Sequence, residues 1–189
     1  VQSALAQETC SIEKVKDFQA EMNSHYADSL KSPLKKEDLK VFEALDFYPI
    51  DLKYCVQAIF KRTPKEKPFV MKTSTNRTPM YVKYGEITFQ LDGKQHQLSI
   101  YQNIEFSKIE KYKNDLFLPF VDETSGDDSY GGGRYIDLKI PDGDTVIINF
   151  NLAYNPYCAY NSGYSCPIPP QENYIGASIN AGIKTFKKH

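Results

Sequence analysis

The residues best suited to chemistry gather between Gly131 and Asn173. Arg134, one of three arginines against twenty lysines, follows Gly131-Gly132-Gly133 and leads into Tyr135-Ile136-Asp137. Its planar guanidinium could fork onto the carboxylate or phosphate of a ligand; the structural alternative is a salt bridge to Asp137, Asp127, Asp128 or Glu172. Three glycines in a row can cradle an anion in a nest of backbone N–H groups. No Lys-Ser/Thr pair and helix follow as in a P-loop, however, so a flexible turn is the plainer reading. Asp122, Glu123, Asp127 and Asp128 form an acidic loop before the glycines, without the spacing of an EF-hand.

Further on come Asn149, Asn151, Tyr154, Asn155 and Tyr160, then Glu172 and Asn173. Tyrosines, amides and one carboxylate suit sugars or other polar organic ligands, through ring stacking and hydrogen bonds. They equally suit a loop that packs on itself. With Arg134 and Tyr135 they form the candidate ligand set. For catalysis the candidates are Glu172 or Asp137 as general base, with water or Cys158 as nucleophile. The histidine expected of a cysteine hydrolase is missing from this stretch. Cys158 and Cys166 enclose seven residues, and a disulfide closing that loop contributes about 2.5 kcal/mol in the chain-entropy account. No CxxC or neighbouring histidine gives zinc spacing, so no metal or other cofactor is expected. The run Cys166-Pro167-Ile168-Pro169-Pro170 must be extended and can hold Glu172 and Asn173 in a fixed place.

The elements that position these groups are legible from periodicity. Ile12, Val15, Phe18, Met22 and Tyr26 recur at helical spacing, with Ser11 as N-cap and Glu13 in the first turn. His25, on or beyond this helix, reads as a surface residue. A second, short helix is expected to start at Ser32-Pro33 and end near Val41–Leu45. From Leu52 the period changes to two. Leu52, Tyr54, Val56, Ala58 and Phe60 make one apolar face and Cys55 lies on the other. Further strands are expected near Phe69–Thr73, Met80–Tyr84, Glu86–Leu91, Gln95–Tyr101, Leu116–Val121, Tyr135–Ile140 and Thr145–Leu152. Short connections dictate antiparallel neighbours. The fold class is mainly β with N-terminal α: an antiparallel meander closing into a barrel or sandwich, with one long and one short helix packed on it.

Two hairpins can be read to register. A two-residue turn at Asp92-Gly93 places Leu91 opposite Lys94, Phe89 opposite His96 and Ile87 opposite Leu98. His96 then stacks on Phe89, or else faces a ligand as a pH-sensitive imidazole. A three-residue turn at Pro141-Asp142-Gly143 would pair Leu138 with Val146, Ile136 with Ile148 and Arg134 with Phe150. Asn149 and Asn151 share the opposite, polar row; asparagine is depleted in strands, so these two either face solvent or line a polar interior.

Totals narrow the function classes. A chain of 189 residues suits one domain with a real core: residues 1–8 read as a residual signal-peptide tail or disordered N-terminus, and 9–189 as a single β-rich domain. A net charge of −1 and pI near 6.4 give no field that favours nucleic acid. No segment has the apolar length needed to span a bilayer. Ala4-Leu5-Ala6 followed by Gln7 looks like a secretory cleavage site, and four cysteines fit an oxidising compartment. The expected location is therefore exported, periplasmic or extracellular.

The motifs Gly132-Gly133-Arg134-Tyr135-Ile136-Asp137, Asn149-Phe150-Asn151-Leu152-Ala153-Tyr154-Asn155-Pro156, Cys158-Ala159-Tyr160 and Cys166-Pro167 through Glu172-Asn173 resemble an uncharacterised bacterial family, catalogued as a domain of unknown function. The resemblance runs from about Ser32 to Lys184 and is most specific in the last third. Ala181-Gly182-Ile183-Lys184 departs from the family's Gly-Glu-Lys, where a third acidic site residue would stand. The resemblance implies that the motif positions belong together in space, and it brings no activity or cofactor. Three readings remain: a binding module for a small polar ligand, a hydrolase using Glu172 or Asp137, and a structural envelope protein. Partners beyond a small ligand are not indicated, and oligomeric state is open.

Overall fold

Ser11 opens the first helix as its sequence demands. In the computed structural model, which describes residues 10–187, α1 spans Ile12–Ala27 and the Ser11 hydroxyl accepts the Lys14 N–H at 3.1 Å. The tail expected at residues 1–8 lies outside the described residues. Val15 and Tyr26 form the buried stripe of α1. The second helix, α2, is Lys36–Lys40 and starts later than the Ser32-Pro33 signal suggests. Ser32 instead accepts the Leu34 N–H at 3.2 Å in a local turn, a competition that short hydroxyl side chains often win. Proline therefore stands outside the helix.

The strands are β1 (Cys55–Arg62), β2 (Phe69–Val70), β3 (Met80–Leu91), β4 (Lys94–Asn103), β5 (Asp115–Asp122), β6 (Arg134–Lys139), β7 (Thr145–Asn149) and β8 (Tyr174–Ile175). They form one sheet with the order β6-β5-β4-β3-β1-β7, with β2 on β3 and β8 on β5. All pairings are antiparallel except β5 with β8. The β3–β4 hairpin has the register expected: Leu91 opposite Lys94, Phe89 opposite His96, Ile87 opposite Leu98. Asp92 (φ +48°) and Gly93 (φ +74°) are both left-handed, as a type I′ turn requires. His96 stacks on Phe89 with ring centroids 5.5 Å apart. The two strands expected at Met80–Tyr84 and Glu86–Leu91 are one strand with an irregularity between Lys83 and Gly85.

The second expected hairpin does not form. β6 pairs with β5 and β7 pairs with β1, so the two lie at opposite edges of the sheet. Their matched apolar phases reflect a shared core, not direct pairing. Lys139 and Thr145 are six peptide steps apart, a reach of at most about 20 Å. Five strand spacings in a flat sheet would separate those edges by about 24 Å. The short connector thus requires a curled sheet, and the sheet is a half-barrel. Its concave side holds the main core, including Ile87, Ile100, Leu118, Phe120, Ile148 and Phe150, none above 3% exposed. A second cluster joins Tyr26 of α1 to Leu34, Leu45, Tyr160 and Ile183. A third, on the outer face, contains Met71, Tyr81 and Tyr101.

Candidate functional site

Arg134 enters the interior because Gly133 turns the chain at φ +84°, and a Cβ there would lie 2.5 Å from the Phe120 carbonyl oxygen. Gly133, the last of the three glycines, thus seats the arginine. Arg134 is fully buried. Nη2 donates to Asp122 Oδ1 at 3.1 Å and to the Ile179 carbonyl at 2.9 Å, and Nη1 donates to the carbonyls of Ala181 and Ile183. Asp122 also accepts from the Ile179 N–H and the Thr124 hydroxyl, both at 2.8 Å. The buried pair therefore fastens the 179–183 segment to β5 and β6. It leaves no guanidinium fork for a ligand, and the salt-bridge partner is Asp122 rather than Asp137, Asp127, Asp128 or Glu172.

The amides behave alike. Asn149 and Asn151 are buried, which rules out the solvent-facing reading. Asn151 exchanges two hydrogen bonds with the Asp51 backbone at 3.1 and 3.0 Å, and the Asn149 side chain accepts the Asn151 N–H and Nδ2. Asn173, fully buried, accepts the Ser99 N–H at 2.8 Å and donates to the carbonyls of Ser99 and Pro119 at 2.8 and 2.6 Å. It satisfies backbone groups where β4 and β5 diverge, since those strands share only the Tyr101–Phe117 pair. Asn173→Ala should cost about 1–3 kcal/mol, because three buried polar groups lose their partner. A urea-unfolding comparison with Asn173→Asp, which keeps the acceptor only, checks it. Arg134, Asn149, Asn151 and Asn173 are buried and hydrogen-bonded within the fold, as structural clamps.

The outer face carries the accessible carboxylates of Asp137 and Glu172 and the half-buried Phe117, while Tyr101 beside them is fully buried. Asp137, Phe117 and Tyr101 form one cross-strand row over β6, β5 and β4. Residues directly opposite in adjacent strands project to the same side. At one end the Tyr154 phenol donates to both Asp137 oxygens at 2.9 Å. At the other, the Tyr101 phenol donates to Glu172 Oε1 at 2.6 Å. Tyr154 is placed by a bridge to the free edge of β6, with reciprocal backbone bonds to Tyr135 at 2.9 and 3.0 Å. Tyr135 stacks edge-on against Phe117 at 4.7 Å and donates its hydroxyl to the Pro167 carbonyl. The proline arm then carries the chain to Glu172, as its stiffness suggests.

Asp137 is exposed to water yet hemmed in by protein. Desolvation raises its pKa, Asp115 adds to the rise, and the Tyr154 hydrogen bond and Lys139 oppose it. A carboxyl whose folded pKa is raised binds its proton more tightly in the folded state. Its contribution is therefore present at acid pH and lost as pH rises through the folded value. Asp137→Asn should accordingly stabilise the protein relative to wild type by an amount that grows between pH 4 and pH 7. Urea titrations across that range test this, and a pH-independent difference would contradict it.

Asn155 and Tyr160 stand elsewhere, beside α1. Asn155 donates to the Lys184 carbonyl at 2.9 Å. Burial pushes the Tyr160 phenol up to about 12, and its ring packs edge-on against Tyr26 at 4.8 Å. Tyr160, Leu45, Phe42, Ile183 and Phe186 border an open cavity of about 340 Å³. The expected Cys158–Cys166 bridge is not formed: these are neighbouring free thiols, and the bridge present joins Cys10 to Cys55. Among the described residues no cluster of three or more His, Cys, Asp or Glu could hold a metal ion. No helix of the described residues is long and apolar enough to cross a membrane.

Sequence reasoning missed Asp122, Tyr101 and Phe117. Asp122 was visible only as part of an acidic loop, and Tyr101 and Phe117 read as ordinary strand residues. Alternation carried the signal: Tyr101 and Phe117 occupy the phase opposite to the apolar core row of their strands, and Asp122 continues the buried row of Leu116, Leu118 and Phe120.

No curated protein shows detectable similarity to the chain. A solved structure does. The solution structure of an uncharacterised protein from Haloarcula marismortui is 32% identical, with a TM-score of 0.70, over 92% of this chain and 93% of that one. The family model for a protein of unknown function, DUF1684, matches residues 40–184, which include every motif residue described above. With both clamps, the outer-face row and the thiol pair inside the matched span, the chain belongs to the DUF1684 family.

Proposed function

We propose that the protein is an exported small-ligand-binding domain whose ligand is a hydroxyl-rich, sugar-like molecule lying across the outer face of β5 and β6. The observation that carries this reading is the Asp137–Phe117–Tyr101 row, in which the half-buried Phe117 ring lies between two exposed, tyrosine-held carboxylates, Asp137 bonded by Tyr154 and Glu172 by the buried Tyr101. An aromatic ring such as that of Phe117 stacks on the C–H face of a sugar, and flanking carboxylates accept its hydroxyls. Orientation by Tyr154 and Tyr101 preorganises both acceptors, which lowers the entropy cost of binding. Export is supported by the bonded Cys10–Cys55 pair, since such bridges persist in oxidising compartments.

The raised Asp137 carboxyl supports a second reading, a hydrolase with Asp137 as general acid and Glu172 as the partner carboxylate. Turnover of glycosides by wild type and Asp137→Asn separates the two, because a hydrolase cleaves them and loses that activity in the variant, while a binding protein cleaves them in neither form. The internally paired clamps support a structural role for Arg134, Asn149, Asn151 and Asn173 within either reading.

Native mass spectrometry of protein purified from its own host tests the binding reading. Wild type is expected to carry a polyhydroxylated adduct that Phe117→Ala loses while retaining its fold. An adduct unaffected by Phe117→Ala would overturn the placement.

A further inference from the structure

The Cys158–Cys166 pair is unused by the ligand reading and has the construction of a reactive dithiol. Cys158 is half-buried and Cys166 buried. The backbone N–H of Cys158 donates to Cys166 Sγ at 3.2 Å. Cys166 is anchored in turn, its own N–H donating to Ser74 Oγ at 3.1 Å and its carbonyl accepting the Ser74 N–H at 2.9 Å. The proline arm beyond it bridges to Thr73, and the Ile168 N–H donates to the Lys72 carbonyl at 2.8 Å. One sulfur therefore sits on a fixed arm. The other sits on the short helical turn Tyr157–Ala159, nearer to solvent.

We propose that Cys158 and Cys166 form a thiol–disulfide exchange site, in which the Cys158 thiolate attacks an incoming disulfide and Cys166 resolves the mixed disulfide. In the first step Cys158 S⁻ forms a bond to one sulfur of R–S–S–R, and the second sulfur leaves as RS⁻. In the second, the Cys166 thiol gives its proton to that thiolate and attacks Cys158 Sγ, closing the bridge and releasing the other RS⁻. The chain loses two electrons and the incoming disulfide gains them, so the co-reactant is a small-molecule or protein disulfide. Reduction by free thiols runs the same steps backwards.

The surroundings support the assignment of roles. The Cys158 thiol is held below the ordinary thiol range, chiefly by the hydrogen bond from Cys166; burial opposes this, and Ser74, its own backbone N–H and the Tyr130 phenol add to it. The Cys166 thiol is pushed up, chiefly by that same bond to Cys158 and by burial, against the opposing Cys158 N–H and Arg77. The titratable and charged groups facing the pair are Tyr130, Tyr135 and Arg77. A low-pKa, accessible thiol with a protonated partner behind it has the arrangement that favours exchange. The inference stands apart from the sugar-like ligand, since none of these atoms belongs to the Asp137–Phe117–Tyr101 row.

The experiment uses the full chain with its Cys10–Cys55 bridge intact. Iodoacetamide labelling of wild type, followed by peptide mapping, should modify Cys158 first, with a rate that rises below the ordinary thiol range. Oxidised glutathione should close a second bridge, and reduced glutathione should reopen it. Cys166→Ser should stop at a glutathione adduct on Cys158, and Cys158→Ser should react about tenfold more slowly or worse. Equal labelling of both thiols with a rate rising only in the ordinary thiol range would overturn the proposal. So would a bridge that never forms, or one that reduced glutathione cannot open. The wild-type measurements decide the matter even where a serine variant fails to fold.

Discussion

Arg134→Met should destabilise the protein by about 3–5 kcal/mol, among the largest effects of any single side-chain change in this chain. The loss is not that of one ion pair. Asp122 would remain fully buried with its charge uncompensated, and three carbonyls of the 179–183 segment would lose their donor. The double variant Arg134→Met with Asp122→Leu should recover part of the loss, because removing both charges avoids the uncompensated one. Urea unfolding of the single and double variants measures both effects. A cost under about 1 kcal/mol, typical of a solvent-exposed pair, would contradict the clamp assignment.

The Cys10–Cys55 bridge ranks beside it. It closes a sequence separation of 45 residues and ties the start of α1 to the start of β1. Chain entropy assigns such a loop a stabilisation of about 4 kcal/mol. Cys55→Ala should show that loss in urea unfolding, and hydrogen exchange should quicken most over Ile12–Ala27, whose buried stripe includes only Val15 and Tyr26. A loss confined to a few tenths of a kcal/mol would mean that α1 is held by packing alone.

These clamps show what periodicity could and could not read. Ser11, Asp92 and Gly93 act locally, so the α1 start and the β3–β4 register followed from the sequence itself. Thr145–Asn149 carries an apolar phase that fits any strand facing the same core, and the phase cannot distinguish its true partner β1 from β6. The motif stretch was legible as a place where residues converge, but not for what they do there. Arg134, Asn149, Asn151 and Asn173 are the residue types that bind polar ligands, and the same donors and acceptors satisfy buried backbone. Only tertiary placement separates the two uses. Asp137, Tyr154 and Glu172 remain from the predicted set on the outer face, joined by the half-buried Phe117; strand register alone brings it into line with Tyr101, which is buried and holds Glu172.

The proposed function predicts that a sugar-like ligand touches that row first. Chemical-shift mapping with methyl glucoside and methyl galactoside on the ¹⁵N-labelled chain is the most direct measurement. Saturable shifts centred on Phe117, Asp137 and Tyr154, and abolished by Phe117→Ala, are the predicted result. Saturable shifts centred instead on Leu45, Tyr160 and Ile183 at the 340 Å³ cavity, or no saturable shifts at all, would contradict it.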